Sequence, residues 1–179
     1  MVRNFNFEIQ LENYIITDLN YKFDENILPF LANKLSKENK DINEFDLVTQ
    51  VNDQNSIKIA IHKDLKEMFI IMDTRVREII DLTEYPYQDY FDDEEIILKS
   101  VDVSMKFNFT LETEKEFPSN LSDNERFMNE FQIHLEKVIM EICRYHMINI
   151  VRNMTALDYN QPIRLEFPKV KIENIEIHN

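Results

Sequence analysis

The chain has 179 residues, of which 44% are hydrophobic and 30% are charged. This composition is typical of a globular protein, and the length predicts one domain spanning residues 1–179. The formal net charge of −14 disfavours nucleic acid as a partner, because binding to a phosphate backbone requires clustered Lys and Arg. The absence of glycine excludes glycine-rich phosphate loops and dinucleotide fingerprints, which need backbone approach without a Cβ.

The length and position of the apolar segments, together with the cysteine content, predict where the protein is located. No apolar run approaches the roughly 20 residues of a membrane span, so no membrane insertion is expected. The N-terminal residues lead directly into an alternating pattern, without the apolar segment of a signal peptide. The single cysteine, Cys143, agrees with a reducing compartment. We therefore expect a soluble, cytoplasmic protein.

The first 40 residues predict two strand segments and a short helix. Apolar residues alternate with polar ones from Phe5 to Leu11 and again from Thr17 to Phe23, as in strands with one face buried. The phase shifts between Asn13 and Ile16, which indicates a break or a bulge. Residues 24–39 have a helical pattern, with Pro29 acceptable in a first turn.

Residues 45–82 predict a hairpin and a further strand. The alternations at residues 45–49 and 57–61 flank the turn-forming sequence Asn52-Asp53-Gln54-Asn55, which is typical of a hairpin. Residues 63–82 fit both a helical stripe and a strand face, and we favour a strand over residues 67–73.

Residues 83–95 have neither period and predict a loop in which aromatic and acidic residues alternate. One interpretation is a solvated loop held down by its tyrosines; the other is a recognition surface for basic or apolar peptide. The candidate partner-binding residues are Tyr85, Tyr87, Tyr90, Phe91, Asp92 and Asp93.

The alternation from Val101 to Leu111 is without error and predicts a strand. A long helix follows from Ser122 to about Met154, opened by a capping box at Ser122-Asp123-Asn124-Glu125. Its expected core stripe, which Met128, Ile139 and His146 widen, consists of Phe127, Phe131, Leu135, Val138, Ile142 and Tyr145.

A second apolar series lies nearly opposite that stripe, at Ile133, Met140, Met147 and Val151. A helix on the surface of a monomer needs one apolar stripe, so something must cover the second. The cover is either a partner subunit, which makes these four residues a possible oligomer interface, or a segment of the chain itself.

The chain ends in a predicted extended tail, with alternation at Ile163, Leu165 and Phe167 after Pro162. Strands mainly precede the long helix and the connections are short. The expected fold is therefore α+β, an antiparallel β-sheet packed by one long C-terminal helix.

No residue pattern predicts catalysis or a cofactor. The four histidines are scattered, and neither HExxH nor paired CxxC occurs. Cys143 and His146 are three apart on the helix, but both lie beside the core stripe, where an inert Cys and a satisfied His are commoner than a metal site. No nucleophile elbow forms without glycine. We expect no metal, no cofactor and no enzymatic activity.

Two segments resemble SecB-like proteins. Phe7-Glu8-Ile9-Gln10, followed by Tyr14, Asp18 and Phe23, is similar to the opening of the SecB export chaperone. Residues 141–155, with Asp158, Pro162 and Ile163-Arg164-Leu165-Glu166-Phe167, are similar to the end of small SecB-like proteins of unknown function from low-GC bacteria. The resemblance implies an acidic homo-oligomer that packs through its long helices and offers apolar grooves to unfolded polypeptide.

Two hypotheses follow. The first is a non-enzymatic, chaperone-like protein of the SecB-like type that binds polypeptide clients or a protein partner. The alternative is an acidic immunity or inhibitor protein, or a phage-encoded interaction protein, that covers one specific basic partner with residues 85–95.

Overall fold

Four long strands and one long helix make up most of the part of the chain that the structure describes. The computed structural model describes residues 7–37, 49–62, 66–80, 96–113, 125–156, 163, 165 and 176–178. In chain order the elements are β1 (Phe7–Phe23), α1 (Ile27–Lys37), β2 (Thr49–His62), β3 (Glu67–Ile80), β4 (Ile96–Thr113), α2 (Glu125–Val138), a π-turn (Ile139–Cys143), α3 (Arg144–Thr155) and β5 (Glu176–His178).

The strands form one sheet in the order β1-β4-β3-β2-β5. The four long strands pair antiparallel, and β5 adds a short parallel pairing to Ala60, Ile61 and His62 of β2. Since the long helix follows the four long strands and packs on one sheet face, the predicted α+β architecture is confirmed.

The core lies between the helices and one face of the sheet, here called the helix-facing face. Directly opposed residues on neighbouring strands share a face. Phe107 of β4 lies opposite Tyr14 of β1 and Ile70 of β3, and it is fully buried. The buried residues of β4 on this face are Val101, Val103, Met105, Phe107, Phe109 and Leu111, which confirms the predicted strand at residues 101–111.

The long helix buries every fourth residue along its length. The buried series is Phe127, Phe131, Leu135, Ile139, Cys143, Met147, Val151 and Thr155. In an α-helix a spacing of four drifts around the axis by about 40° per step, since each residue turns by about 100°. At the π-turn the Arg144 amide donates to the Ile139 carbonyl, five residues earlier. The wider turn counteracts part of the drift and returns the series toward the sheet.

The predicted core stripe is therefore right for the first half of the helix and wrong at its end. Phe127, Phe131 and Leu135 are buried, whereas Val138 and Ile142 are half-buried. Tyr145 is 61% exposed, because the π-turn moves the inward position to Met147.

β1 is one strand of 17 residues, and its phase shift is a pair of bulges. The register with β4 skips one residue between Leu11 and Asn13 and another between Ile16 and Asp18. Each extra residue flips the following side chains to the other face. Two flips restore the original phase, which explains why the sequence alternates identically on both sides of the break.

The hairpin predicted around Asn52-Asp53-Gln54-Asn55 is wrong. These residues lie within β2, which pairs with β3 from Thr49 to Ile61. Their side chains find partners inside the sheet: Thr74 donates to the Asn55 amide oxygen at 2.8 Å, and Asn55 donates to Asp53 at 2.8 Å. Cross-strand partners thus override the turn preference of Asn and Asp.

The ambiguous segment at residues 63–82 is a strand over Glu67–Ile80, so the helical alternative is wrong. The helix predicted within residues 24–39 is confirmed as α1. The Asp24 carboxylate accepts from the Asn26 amide at 3.0 Å, and the Asp24 carbonyl accepts from the Ile27 amide at 3.3 Å. This turn positions Ile27 and Leu31, which form a second cluster with Ile80 and Leu98.

One lysine is buried in the sheet and pairs with a partly buried glutamate. Lys99 of β4 is 1% exposed, and its Nζ lies 3.6 Å from Glu78 Oε2 on β3. Thr49 Oγ1 donates to the other Glu78 oxygen at 3.0 Å. A buried cation needs such partners, because desolvation is costly.

The end of α3 is hydrogen-bonded to Ile163. Thr155 is buried, donates to the Val151 carbonyl at 2.9 Å and accepts from the Ile163 amide at 3.0 Å. Ile163 and Leu165 join the main core. Several predictions lie wholly or largely outside the described residues. They are those for Phe5, Phe45, the loop at residues 83–95, the capping box at residues 122–125 and the tail at residues 167–172.

Candidate functional site

Three apolar side chains of β1 lie on the helix-facing face and yet remain accessible. They are Tyr14, Ile16 and Leu19, which are 42%, 41% and 38% exposed; we call them the β1 patch. Their partners on β4 are Phe107, Met105 and Val103, all buried. The exposure of the patch thus reflects where the helices lie and not the pattern of the strand.

The two bulges are the reason why these three residues share a face. The extra residues at Glu12 and Thr17 bring Tyr14 and Ile16 onto the face that Leu11 and Leu19 occupy. A regular strand with the same sequence would point Tyr14 and Ile16 to the opposite face. The local backbone irregularity therefore creates a continuous apolar surface.

An aromatic cluster connects the β1 patch to α3. The Tyr14 ring centroid lies 4.4 Å from that of His146 and 5.9 Å from that of Phe107. Tyr145 contacts His146 edge-on at 5.6 Å. Ring contacts of this kind fix the side chains in place, so the patch has a firm boundary on the helix side.

The opposite sheet face has a different chemistry. A shallow polar depression is lined there by Asp18, Ser56, Asp73, Asp102 and Ser104. Ser104 and Ser56 donate to the two oxygens of Asp73 at 2.6 Å and 3.1 Å, and Arg75 pairs with Asp102 at 2.8 Å. The carboxylates of Asp73 and Asp102 are thus engaged by neighbours. Within the described ranges no group of three His, Cys, Asp or Glu side chains is placed to hold a metal ion.

Cys143 and His146, three residues apart on the helix, lie in different environments. Cys143 is fully buried in the π-turn, and this burial raises the pKa of its thiol from 9.0 to about 12. A thiol that stays protonated is neither a good nucleophile nor a good metal ligand. His146 instead packs against Tyr14 at the edge of the β1 patch.

The four residues predicted as an oligomer interface do not share one environment. Ile133 is 66% exposed, whereas Met147 and Val151 are fully buried in the chain's own core. The Met140 side chain and the candidate loop Tyr85, Tyr87, Tyr90, Phe91, Asp92 and Asp93 lie outside the described residues. An oligomer contact through Ile133 and Met140 stays a prediction.

Sequence reasoning missed the β1 patch. Its signal was the phase break itself, since Tyr14, Ile15, Ile16 and Leu19 are apolar on both sides of it. Such a run within an edge strand indicates a bulged strand with uncovered apolar residues.

Comparison with known proteins supports the fold. No protein-family profile matches the sequence, and no curated protein matches it. Among solved structures, the chain is similar to the SecB-like chaperone Rv1957 of Mycobacterium tuberculosis, solved in complex with a ChAD peptide from the HigA1 antitoxin. The TM-score is 0.50 at 8% identity, over 92% of this chain and 93% of that chain. The fold is therefore SecB-like. Among the described helices none is long and apolar enough to cross a membrane.

Proposed function

We propose that this protein binds unfolded or extended polypeptide without catalysing a reaction, in the manner of a SecB-like chaperone. The observation that carries the proposal is the β1 patch, an exposed apolar surface of Tyr14, Ile16 and Leu19 on the helix-facing side of the sheet. Contiguous exposed apolar surface is typical of sites that bind protein segments. The structural neighbour supports this assignment, because it was solved with a bound antitoxin peptide.

The chemistry of the patch suits a binder of many sequences. Its contacts are aromatic and aliphatic, so they recognise apolar side chains without demanding one particular hydrogen-bonding pattern. The net charge of −14 favours basic segments in the same clients through long-range attraction. We propose the cytoplasm as the compartment and a homo-oligomer as the working form, with no cofactor.

The test is suppression of aggregation when a chemically unfolded substrate protein is diluted into buffer, followed by light scattering. We expect the double variant Ile16→Asn, Leu19→Asn to need about tenfold more protein for half-suppression, since about 1.4 kcal/mol of lost apolar contact is tenfold in affinity. The matched control is Val51→Asn, because Val51 is an equally exposed apolar residue, at 41%, on β2. Equal activity of the double variant and the control contradicts the proposal, as does inactivity of the unmodified protein.

The acidic inhibitor alternative predicts a different result. It requires one basic partner bound with fixed stoichiometry, and binding that depends on Asp92 and Asp93 and is unaffected by Ile16→Asn, Leu19→Asn. A pull-down that returns many unrelated clients opposes it.

A further inference from the structure

His146 lies where the β1 patch meets the long helix, and aromatic rings contact it from three elements or positions. Its ring centroid is 4.4 Å from that of Tyr14, 6.3 Å from that of Phe107 and 5.6 Å from that of Tyr145. Tyr14 is 42% exposed and Tyr145 is 61% exposed, and His146 is half-buried between them. The imidazole therefore retains access to water.

His146 extends the accessible surface of the β1 patch onto the helix. From Leu19 and Ile16 the surface continues over Tyr14 to His146 and then to Tyr145 on α3. An extended apolar segment that covers the patch and reaches the helix passes over the imidazole. Histidine is the side chain that ordinarily changes its charge between pH 5 and 8. The surface thus contains a group that becomes a cation in mild acid.

We propose that protonation of His146 weakens polypeptide binding at the β1 patch, so that apolar segments are held more tightly at pH 8 than at pH 5.5. The inference rests on the proposed function, which it extends to the conditions under which clients are bound and released. Its physical cause is desolvation, because a segment that covers the ring removes water and loss of water disfavours the charged form. By linkage, the charged form disfavours the segment to the same degree.

The described side chains that contact His146 are rings and not carboxylates. Tyr14 on β1 and Tyr145 on α3 carry phenols, which as a class ionise only near pH 10. Phe107 on β4 has no titratable group. An imidazolium is attracted to aromatic faces, but these rings are in place whether or not a segment is bound. They therefore do not replace the water that a bound segment removes.

The charged side chains of the sheet that are close in sequence to these rings are engaged elsewhere. On β1, Glu12 accepts a hydrogen bond from Thr110 at 3.0 Å. On β4, the Lys106 ammonium lies 4.1 Å from the centroid of the Phe69 ring, on the sheet face opposite the helices. Neither charge is placed to neutralise a cation at the edge of the β1 patch.

The charged side chains of the long helix are arranged in the same way. Arg144 is two residues before His146, a spacing at which side chains on a helix do not face each other. Glu141 lies in the π-turn and is exposed to solvent. Water is therefore the main stabilising partner of a charge on His146, and a covering segment takes this partner away.

The test measures the binding of a probe peptide at two pH values. The probe contains only Leu, Phe, Ser and Gly, has blocked ends and carries a rhodamine label, so that it has no group that titrates in this interval. We expect the dissociation constant of the unmodified protein, measured by fluorescence anisotropy, to rise about tenfold from pH 8 to pH 5.5. A change of this size corresponds to a partial loss of water from one charged group.

Two substitutions remove the titration in opposite ways. His146→Phe keeps a ring that is always neutral, so its dissociation constant should be equal at the two pH values within about twofold. His146→Arg is always charged and should bind the probe about tenfold more weakly than the unmodified protein at pH 8. The matched control is His134→Phe, which removes a half-buried histidine of α2 and should retain the full pH dependence. Far-ultraviolet circular dichroism at both pH values checks that each variant is folded.

Three results overturn the inference. They are equal affinity of the unmodified protein at both pH values, a His146→Phe variant with undiminished pH dependence, and a His146→Arg variant that binds as tightly as the unmodified protein at pH 8. The first result leaves the proposed function intact, because the probe still binds. A protein that binds the probe at neither pH overturns the proposed function as well.

Discussion

β1 and β4 are antiparallel neighbours with almost the same alternation of apolar residues, yet their environments differ. From Val101 to Leu111 the helix-facing side chains of β4 are at most 5% exposed. The opposing β1 residues include Tyr14, Ile16 and Leu19, all at least 38% exposed. The difference is one of position, since β4 is covered by the helices and flanked by two strands whereas β1 is at the edge. Apolar residues on the same sheet face thus serve the core in one strand and, in the bulged edge strand, an accessible surface.

The sharpest test of this comparison replaces two residues that face each other across the ladder. Phe107→Ala should lower the free energy of unfolding by about 4 kcal/mol, because it leaves a cavity in a fully buried site. Tyr14→Ala should cost about 1 kcal/mol, since that side chain is already partly in water. The chain has no tryptophan, so urea unfolding is followed by far-ultraviolet circular dichroism. Equal losses would show that β1 is as well covered as β4.

The lysines of the two strands provide a second contrast. Lys99→Met leaves Glu78 without its cation at 3.6 Å, and it should cost about 3 kcal/mol in the same unfolding experiment. The double variant Lys99→Met, Glu78→Leu should recover part of the loss, because no charge is then left unpaired. Lys22→Met on β1, where the side chain is exposed, should change stability by less than about 0.5 kcal/mol. A Lys99→Met variant as stable as Lys22→Met contradicts the burial of Lys99.

The prediction with the smallest effect on the protein concerns thiol reactivity. It distinguishes a residue in the core from a residue in the edge strand without a change in stability. Burial raises the pKa of Cys143 to about 12, so at pH 8 its thiol should not react with a disulfide reagent until the protein unfolds. The thiol introduced by Ile15→Cys should react at once. Absorbance of the released chromophore gives the count of reactive thiols, expected to be zero in the native protein and one in the variant. Rapid labelling of the unmodified native protein would contradict the placement of the π-turn.

Sequence pattern predicted the elements whose burial is one-sided and regular. The prediction was right that Val101 to Leu111 form a strand and that Phe127, Phe131 and Leu135 face the core. In both segments the apolar residues recur with one fixed period and on a single face, so the pattern fits only one type of secondary structure. Beyond Val138 both the predicted stripe and the observed series at Ile139, Cys143 and Met147 are apolar, so spacing alone does not reveal the π-turn.

The turn predicted at Asn52–Asn55 shows a second limit. Those residues prefer turns in isolation, but within the strand Asn55 donates a hydrogen bond to Asp53 and accepts one from Thr74. Cross-strand partners are not visible along one segment of sequence. The β1 patch has the same origin: the pattern predicts that Leu19 faces the helix side, and only the placement of the helix decides that Leu19 remains accessible.

The π-turn makes the effect of a deletion in the long helix depend on where the deletion falls. The turn holds one residue more than the α-helical turn that it replaces, so removing one residue from Ile139–Cys143 would leave an unbroken α-helix of the same direction. Everything after that deletion would keep nearly its present orientation relative to α2, and Thr155 would still be directed at Ile163. The same deletion at the start of α3 would rotate the residues after it by about 100°, and Met147, Val151 and Thr155 would leave the sheet together. The position of a single missing codon would thus decide whether the core contacts of α3 survive, although nearly all of the helical content is preserved in both cases.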